Sequence, residues 1–392
     1  MKHRPLNHIA SVLLGIVFIV SGLMKLQDPV GTMLIVTEYC KFFHLPFLIP
    51  AAKVLGQLLS LFEATLGVAL ITGVFRKIAA ICTYVLLGGF SVITLILWIR
   101  NPEMDCGCFG EAIHLTHAQS FWKNIILLAV ALMAFTPLGG MSKPRVGRWV
   151  SAGLAFVALV FGLWYCNRHL PVVDFTAFNW GAELFASLED DVAADNHYKP
   201  VYIYQKSGQE GSFGLDNLPD STWTFVRADT LFRVGAALHE GYPILSFRDT
   251  DGTYQDHLAA EGKVVVFSVY DLPKAPWERI REQIRAVEAE DVTPLLLVST
   301  DASLSEASLV PAGLVPYFAD YKTLITLNRS NGGGSYFQKG ELIDKWASAD
   351  FPKDLSASFQ ADPVDLSTRK IARRRIQAQG FVLYLAAILI LI

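Results

Sequence analysis

IAAICTYVLLGGFSVITLILWI, residues Ile78 to Ile99, runs for 22 positions without a charged side chain. The hydrocarbon core of a bilayer is about 30 Å thick and has no water for backbone groups, so a crossing helix needs about 20 mostly apolar residues. Ile78 to Ile99 meets that requirement, and the fold is read outward from a membrane helix. Leu6 to Leu26, Val54 to Phe75, Phe121 to Leu138 and Trp149 to Tyr165 meet it too. A sixth, shorter stretch, Gly380 to Ile392, reaches crossing length only by borrowing Ile376 and its neighbours. Lys2 and Arg4 precede the first stretch as in a secretory signal. It ends in Lys25 with no small-x-small cleavage site after it, so it reads as a retained helix.

Over 392 residues, 52% are hydrophobic and 18% charged, against about a quarter charged in soluble domains. An ordinary cytosolic enzyme is excluded. The net charge of −3 hides a split: residues 1–170 carry 13 Lys/Arg and 6 Asp/Glu, whereas residues 171–368 carry 15 and 30. That acidity, with no basic face outside short loops, argues against nucleic acid as a partner. Short Lys/Arg-rich loops stay in the cytoplasm, and the N-terminus, the Arg76-Lys77 turn and the Lys143/Arg145/Arg148 loop agree on one side. The loops Gln27 to Lys53 and Asn101 to Ser120 and the acidic half are expected on the other. The protein is thus expected to be a multi-pass protein of the bacterial inner membrane, in contact with membrane lipid, its large domain periplasmic. The run Arg369, Lys370, Arg373, Arg374 and Arg375 lies outside, against the rule.

The expected layout is a four-helix membrane bundle over 1–145, a fifth transmembrane helix over 146–170 and a linker with short strands over 171–240. An α/β domain over 241–368 follows, then a basic segment and short C-terminal transmembrane helix over 369–392.

Cys40, Cys82, Cys106, Cys108 and Cys166 all precede residue 171, so any thiol chemistry belongs to the first half. Asp105-Cys106-Gly107-Cys108-Phe109-Gly110 is the sharpest signal. Two thiols one residue apart close only a small, strained ring, for which Gly107 supplies backbone freedom. A strained disulfide is easily reduced, which suits an electron-passing pair; an inert turn or a soft-metal pair is the alternative. His114 and His117 invite a zinc reading, but the spacing is not that of a common finger. Both are expected to be solvated loop residues, and no metal site is expected. Asp105 opposes a thiolate, so a cation is expected nearby.

Glu63 lies about nine residues into an outward-starting helix, on the order of 13 Å deep, where an ionisable group normally has a partner inside the bundle. Lys25, Lys123 and Asn124 fall near the outer ends of their helices. Lys25 or Lys123 is expected to pair Glu63 or to favour a thiolate at Cys106 or Cys108, the alternative being that both lysines snorkel to the headgroups. Cys40, beside Tyr39 and Lys41, is a candidate to resolve a mixed disulfide. Cys82 and Cys166 read as small apolar residues.

Gly15, Ser21-Gly22, Lys25 with Asp28-Pro29, Glu63, Gly67 and Gly73, then Asp-Cys-Gly-Cys-Phe-Gly at 105–110 and Trp122-Lys123-Asn124, resemble the DoxX/MauE group of membrane proteins. The match covers about residues 6–140. It implies a four-helix bundle shaped like the vitamin K epoxide reductase and disulfide-bond oxidase bundles, with Cys106 and Cys108 as the redox pair. MauE-type members imply disulfide formation in an exported methylamine dehydrogenase subunit, and DoxX/DoxD-type members imply quinone-linked thiosulfate oxidation. The full layout resembles larger DoxX-family proteins of Bacteroidetes, for which no methylamine role follows.

In the acidic half, Val201 to Tyr204 and Ser212 to Leu215 are expected to pair, and Trp223 to Val226 reads as a strand. From Ile244 the pattern gives a strand to Phe247, a turn at Asp251-Gly252 and an apolar strand from Lys263 to Tyr270. A helix follows from Ala275 to Ala289 with Trp277, Ile280, Ile284 and Val287 on one face. Then come a strand at Pro294 to Ser299, a helical stretch at Ser303 to Leu309, and a hairpin of Ser335 to Gln338 and Glu341 to Trp346 turned by Lys339-Gly340. This order resembles a thioredoxin-like sheet, but Asp271 to Trp277 holds no Cys-x-x-Cys and Asn331-Gly332 stands where a cis-proline is expected. Such a domain cannot exchange thiols.

Three functions compete. The first is a thiol:disulfide oxidoreductase with catalytic Cys106 and Cys108, assisted by Glu63, Lys25 and Lys123, acting on an exported or periplasmic protein and coupled to a quinone. The second is a non-catalytic accessory or assembly subunit whose periplasmic domain docks a partner. A transporter is the third, with Glu63 as its one mid-span acidic residue.

Overall fold

The structure, a computed structural model, describes residues 4–102, 104–135, 145–178, 198–206, 209–214, 219, 223–232, 245–299, 309–359 and 363–391. Five apolar helices form its first half: α1 (Arg4–Gln27), α3 (Ala52–Thr72), α4 (Arg76–Arg100), α5 (His117–Phe135) and α6 (Val146–Arg168). Among the described residues these are the helices long and apolar enough to cross a membrane. They correspond to the five expected spans, although Leu138, the end of the fourth, lies outside the described residues.

Packing inside the bundle follows from small residues on α1 and α3. A Cβ at Gly22 would stand 2.6 Å from the Ala64 amide nitrogen, and one at Gly67 would stand 2.6 Å from the Gly15 carbonyl oxygen. Backbone therefore meets backbone, as small residues allow where lipid offers no hydrophobic drive for association. The crossing brings the Lys25 end of α1 against the Glu63 turn of α3.

The expected loop from Gln27 to Lys53 is largely helical: α2 (Pro29–Phe42) is followed by a 3-10 turn, Pro46–Ala51. The Asp28 carboxylate accepts the Gly31 amide at 2.8 Å and Pro29 fills the first helical position, where a missing N–H costs nothing. The buried face of α2 carries Pro29, Val30, Gly31, Thr32 and Cys40. One end of the bundle holds Arg76, Lys77 and Arg148, with Arg148 Nη1 3.4 Å from the Thr72 carbonyl oxygen at the end of α3. The other end holds α2, the cysteine loop and the chain that follows α6.

Beyond α6 the segment expected to be linker and short strands contains a three-stranded antiparallel sheet. Its order is β3-β2-β4, from β2 (Tyr198–Lys206), β3 (Gln209–Gly214) and β4 (Thr224–Phe232). The expected hairpin forms with Val201 opposite Gly214.

A mixed six-stranded sheet follows, from β5 (Phe247–Arg248), β6 (Lys263–Val269), β7 (Thr293–Ser299), β8 (Pro316–Ala319), β9 (Gly333–Gln338) and β10 (Glu341–Trp346). Its order is β10-β9-β6-β7-β8-β5, with β6, β7 and β8 parallel and the rest antiparallel to their neighbours. The short α7 (His257–Ala260) precedes β6, α8 (Trp277–Glu288) joins β6 to β7, and α9 (Tyr321–Leu327) joins β8 to β9. Ile280, Ile284 and Val287 of α8 pack on Val265, Phe267, Leu296 and Val298. Leu324 and Leu327 of α9 pack on Val264, Val266, Leu295 and Leu297 on the opposite face. Both faces are covered, which is why β6 and β7 read as continuous apolar runs.

Three details differ from expectation. Of the strand expected at Ile244 to Phe247, Ile244 lies outside the described residues and Phe247 opens β5, while Asp256 takes the Phe247 amide at 2.7 Å and the Ser246 hydroxyl at 3.1 Å. β8 and α9 stand between β7 and the hairpin, whereas the helix expected at Ser303 to Leu309 falls, apart from Leu309, outside the described residues. The final segment is one helix, α11 (Pro363–Leu391), after the short α10 (Ser356–Phe359). α11 is not among the five crossing helices, because its basic run takes up the first half and leaves too short an apolar remainder. It packs on α6: Phe381 and Ile388 join a cluster with Ala155 and Leu159, and the Tyr384 hydroxyl donates to the Ala158 carbonyl at 2.7 Å.

Among the described residues, three ion pairs and a His169–Asp350 contact tie the second half down. Arg329 Nε reaches Asp28 Oδ2 at 3.0 Å, Lys322 pairs with Glu38, and His169 Nδ1 lies 2.7 Å from Asp350 Oδ2. Lys345 Nζ sits 2.6 Å from Asp174 Oδ2 and 2.9 Å from the Phe178 carbonyl, holding the strap after α6 against β10.

Candidate functional site: a cysteine turn over a buried charge pair

The α1/α3 crossing delivers Lys25 Nζ to 2.6 Å from Glu63 Oε2, with the two side chains 7% and 1% exposed. Ionised groups this far from water persist only when paired. Ser21, one turn before Lys25, has its hydroxyl 3.1 Å from Glu63 Oε2 and 2.8 Å from the Cys108 carbonyl oxygen. Its single proton serves one of these acceptors at a time, so it links the charge pair to the cysteine turn.

The turn itself is held from two helices. Tyr39 of α2 donates its hydroxyl to the Cys106 carbonyl at 2.9 Å, and Ser21 of α1 reaches the Cys108 carbonyl. Between them Gly107 has φ +61°, and a Cβ there would lie 2.5 Å from the Ile35 side chain. Only glycine fits both the backbone and the space. All five cysteines are free thiols.

Beneath the turn lies a cavity of about 300 Å³. Leu55, Leu59, Leu87 and Phe90 form part of its apolar wall, while Lys25, Glu63, Ser21, Asn124, Cys106 and Cys108 bring polar atoms to it. Cys40 and Lys123 line it as well. Cys40 therefore shares a cavity with the Cys106/Cys108 pair.

Of the two lysines expected near Glu63, Lys25 makes the pair. Lys123 Nζ lies 5.1 Å from the centroid of the Phe109 ring, a cation–π contact at the edge of the turn. Asn124 Nδ2 reaches Thr94 Oγ1 at 3.4 Å. Burial pushes the Cys106 thiol up; the charges of Cys108 and Asp105 add to this, and Ser120 and Lys123 oppose it. Lys123 is thus a cation that favours the thiolate. Burial, reinforced by Cys106, Cys108 and Asp105, also pushes the Tyr39 phenol up, which keeps it a hydrogen-bond donor.

The expectation that both histidines are solvated holds for His114, which is exposed and 3.1 Å from Asp105 Oδ2, and fails for His117. Half-buried His117 opens α5 and presents Nδ1 to Cys106 Sγ at 2.9 Å, with Nε2 3.0 Å from the Pro102 carbonyl oxygen. Loop closure brings position 117 back onto position 106, and no local pattern announces it. Among the described residues no three His, Cys, Asp or Glu groups converge as a metal would require. Cys82 and Cys166 are partly exposed on α4 and α6, away from the turn.

Residues 4–137 match the family model of the methylamine utilisation protein MauE. This part of the chain is similar to a MauE-type membrane protein, and it holds four of the five apolar helices, α1, α3, α4 and α5. Residues 198–232, the three-stranded sheet, match the model of a domain of unknown function, DUF8463. Neither a curated protein nor a solved structure matches the chain.

Proposed function

We propose that this protein is a membrane thiol:disulfide oxidoreductase whose Cys106/Cys108 pair oxidises thiols of an exported protein. The observation that carries the reading is that both thiols and the buried Lys25/Glu63 pair share one mainly apolar cavity of about 300 Å³, within the size range of small-molecule sites. A substrate thiolate attacks the Cys106–Cys108 disulfide, one cysteine leaves as thiolate, and a second substrate thiol displaces the other. The substrate gains a disulfide, and the pair retains two electrons and two protons.

A quinone headgroup fits the donor set of Ser21, Lys25 and Asn124 within apolar walls, and when bound it would take up those two electrons and two protons. The chain's own residues prepare that transfer. Tyr39 and Ser21 hold the turn, Lys25 and Glu63 fix charge at the cavity's base, and the leucine and phenylalanine walls keep water out. Lys123 offsets the negative charge that thiol ionisation creates.

The adjacent strands β7-β6-β9-β10, with α8 crossing between β6 and β7, support a thioredoxin-like reading of the α/β part. Asn331 there accepts the Tyr270 and Asp271 amides at 3.0 and 3.1 Å and donates to the Asp271 carbonyl at 2.7 Å. The loop where such a fold carries its thiols is pinned by an amide side chain instead. With no cysteine after residue 166, this part covers and orients rather than exchanges. On the charge asymmetry of the loops, the cysteine end faces the periplasm and the protein lies in a bacterial inner membrane. The accessory reading draws on that same cysteine-free, clamped domain.

Thiol labelling separates the two. The reduced protein in detergent, treated with a soluble quinone, should lose two labelling equivalents at Cys106 and Cys108, and Cys106→Ser or Cys108→Ser should abolish the loss. Thiols that stay fully labelled after every oxidant leave only the accessory role.

A further inference from the structure

We infer that His117 is the acid–base group of the thiol pair, which makes Cys106 the attacking and leaving sulfur and Cys108 the sulfur that resolves. The inference rests on the redox reading above and deepens it. Cys106 Sγ lies 2.9 Å from His117 Nδ1. The far nitrogen, Nε2, lies 3.0 Å from the Pro102 carbonyl oxygen, which can only accept, so Nε2 carries hydrogen. In a neutral ring Nδ1 is then a lone pair aimed at the thiol. Moving the thiol proton to Nδ1 gives a thiolate beside an imidazolium without rearranging either partner.

Of the charged groups nearby, Lys123 and Asp105 act on the thiol through space, in opposite senses, and among the described hydrogen bonds neither reaches its sulfur. Asp105 pairs with His114, Lys123 stands over Phe109, and Lys25 is held by Glu63. Cys106 is 6% exposed, and burial disfavours its thiolate. A buried thiol of this kind needs an adjacent base to become a nucleophile. No such contact with the sulfur of Cys108 exists among the described hydrogen bonds; its carbonyl is tied to Ser21.

An external disulfide, R–S–S–R, is the electron acceptor. The Cys106 proton passes to Nδ1, the thiolate forms a bond to one sulfur, and the R–S⁻ that leaves takes the proton back from His117. The Cys108 thiol then attacks Cys106 sulfur, and the Cys106–Cys108 disulfide forms as the second R–SH departs. In the reverse direction, a substrate thiolate attacks Cys106 sulfur and displaces Cys108, which takes up the proton that substrate thiol gave up. The proton of a second substrate thiol passes to His117, its thiolate attacks the substrate sulfur of the mixed disulfide, and the departing Cys106 thiolate takes that proton from His117 as R–S–S–R forms.

The test uses the full-length protein in detergent and glutathione disulfide as the probe, with modified sites mapped by mass spectrometry. In a Cys108→Ser background, His117→Gln and His117→Ala should each slow glutathionylation of Cys106 by at least about a hundredfold, the lower end of general acid–base effects. In a Cys106→Ser background, the same histidine changes should leave the Cys108 rate unaltered. A variant that merely loosens the loop would change both cysteines together. An unchanged Cys106 rate, or equal slowing at both cysteines, overturns the inference; a Cys106/Cys108 pair that still cycles with quinone then leaves the redox reading standing. A wild-type pair that never forms a disulfide removes both.

Discussion

Arg329, in the turn after α9, places Nε 3.0 Å from Oδ2 of Asp28, the residue that caps α2, and its side chain is only 3% exposed. One carboxylate thus starts a bundle helix and anchors the α/β part through a contact 301 positions away in sequence. Removing one member of a buried pair strands the other charge and costs about 3–5 kcal/mol. Arg329→Met or Asp28→Asn should therefore free the α/β part for limited proteolysis while the bundle stays inserted. A digestion pattern identical to wild type would show that the clamp does not hold the two parts together.

Glu63→Gln should destabilise the bundle by about 3–5 kcal/mol, since the Lys25 ammonium is left buried without its counter-charge. Lys25→Met with Glu63→Met should recover much of the thermal stability, because apolar replacement of a buried pair is often neutral. The double variant should still fail to oxidise its thiols with added quinone. Wild-type cycling in it would make the pair purely structural.

Gly22→Val puts branched carbon where the Ala64 backbone already stands, 2.6 Å from the ideal Cβ position. Overpacking of this kind costs about 1–3 kcal/mol, and here it also moves Lys25 away from Glu63. A lowered unfolding midpoint in detergent, together with weaker quinone-driven disulfide formation, is the expected result.

Burial alone would push the Asp174 carboxyl up, but Lys345 and the Thr176 groups outweigh it and hold it below the usual carboxylate range. A depressed folded value means that its stabilisation is complete above the unfolded carboxyl value of about 4 and fades as pH falls through the lower folded one. Hydrogen exchange in β10 should therefore accelerate below about pH 4 in the wild type. Asp174→Asn should be fast at neutral pH already and should lack that acid step.

The spans were legible because apolar length is a one-dimensional property, β6 and β7 because burial on both faces leaves continuous apolar runs, α8 because its apolar residues recur on one face at helical spacing, and the hairpin because Lys339-Gly340 marks its turn. α2 was not, although Asp28-Pro29 carries the cap and first-position proline that open a helix; its short apolar stretch resembles a loop beside longer spans. α9 had the same kind of signal, with Asp320 accepting the Thr323 amide at 3.0 Å. The Lys25/Glu63 pair could be narrowed to two lysines by depth, and the α1/α3 crossing decides between them. His117 was beyond reach, since its meeting with Cys106 depends on how a loop folds back.

Because α6 feeds the α/β part at Arg168 and α11 returns from it to rest on Ala158 and Gly162, that part is moored at two points to a single post. A module on one rope can swing wide, but one on two can only rock about the line between its moorings. The pair formed by Arg329 and Asp28 is a further tie, on α2 and off that line, and it opposes such rocking.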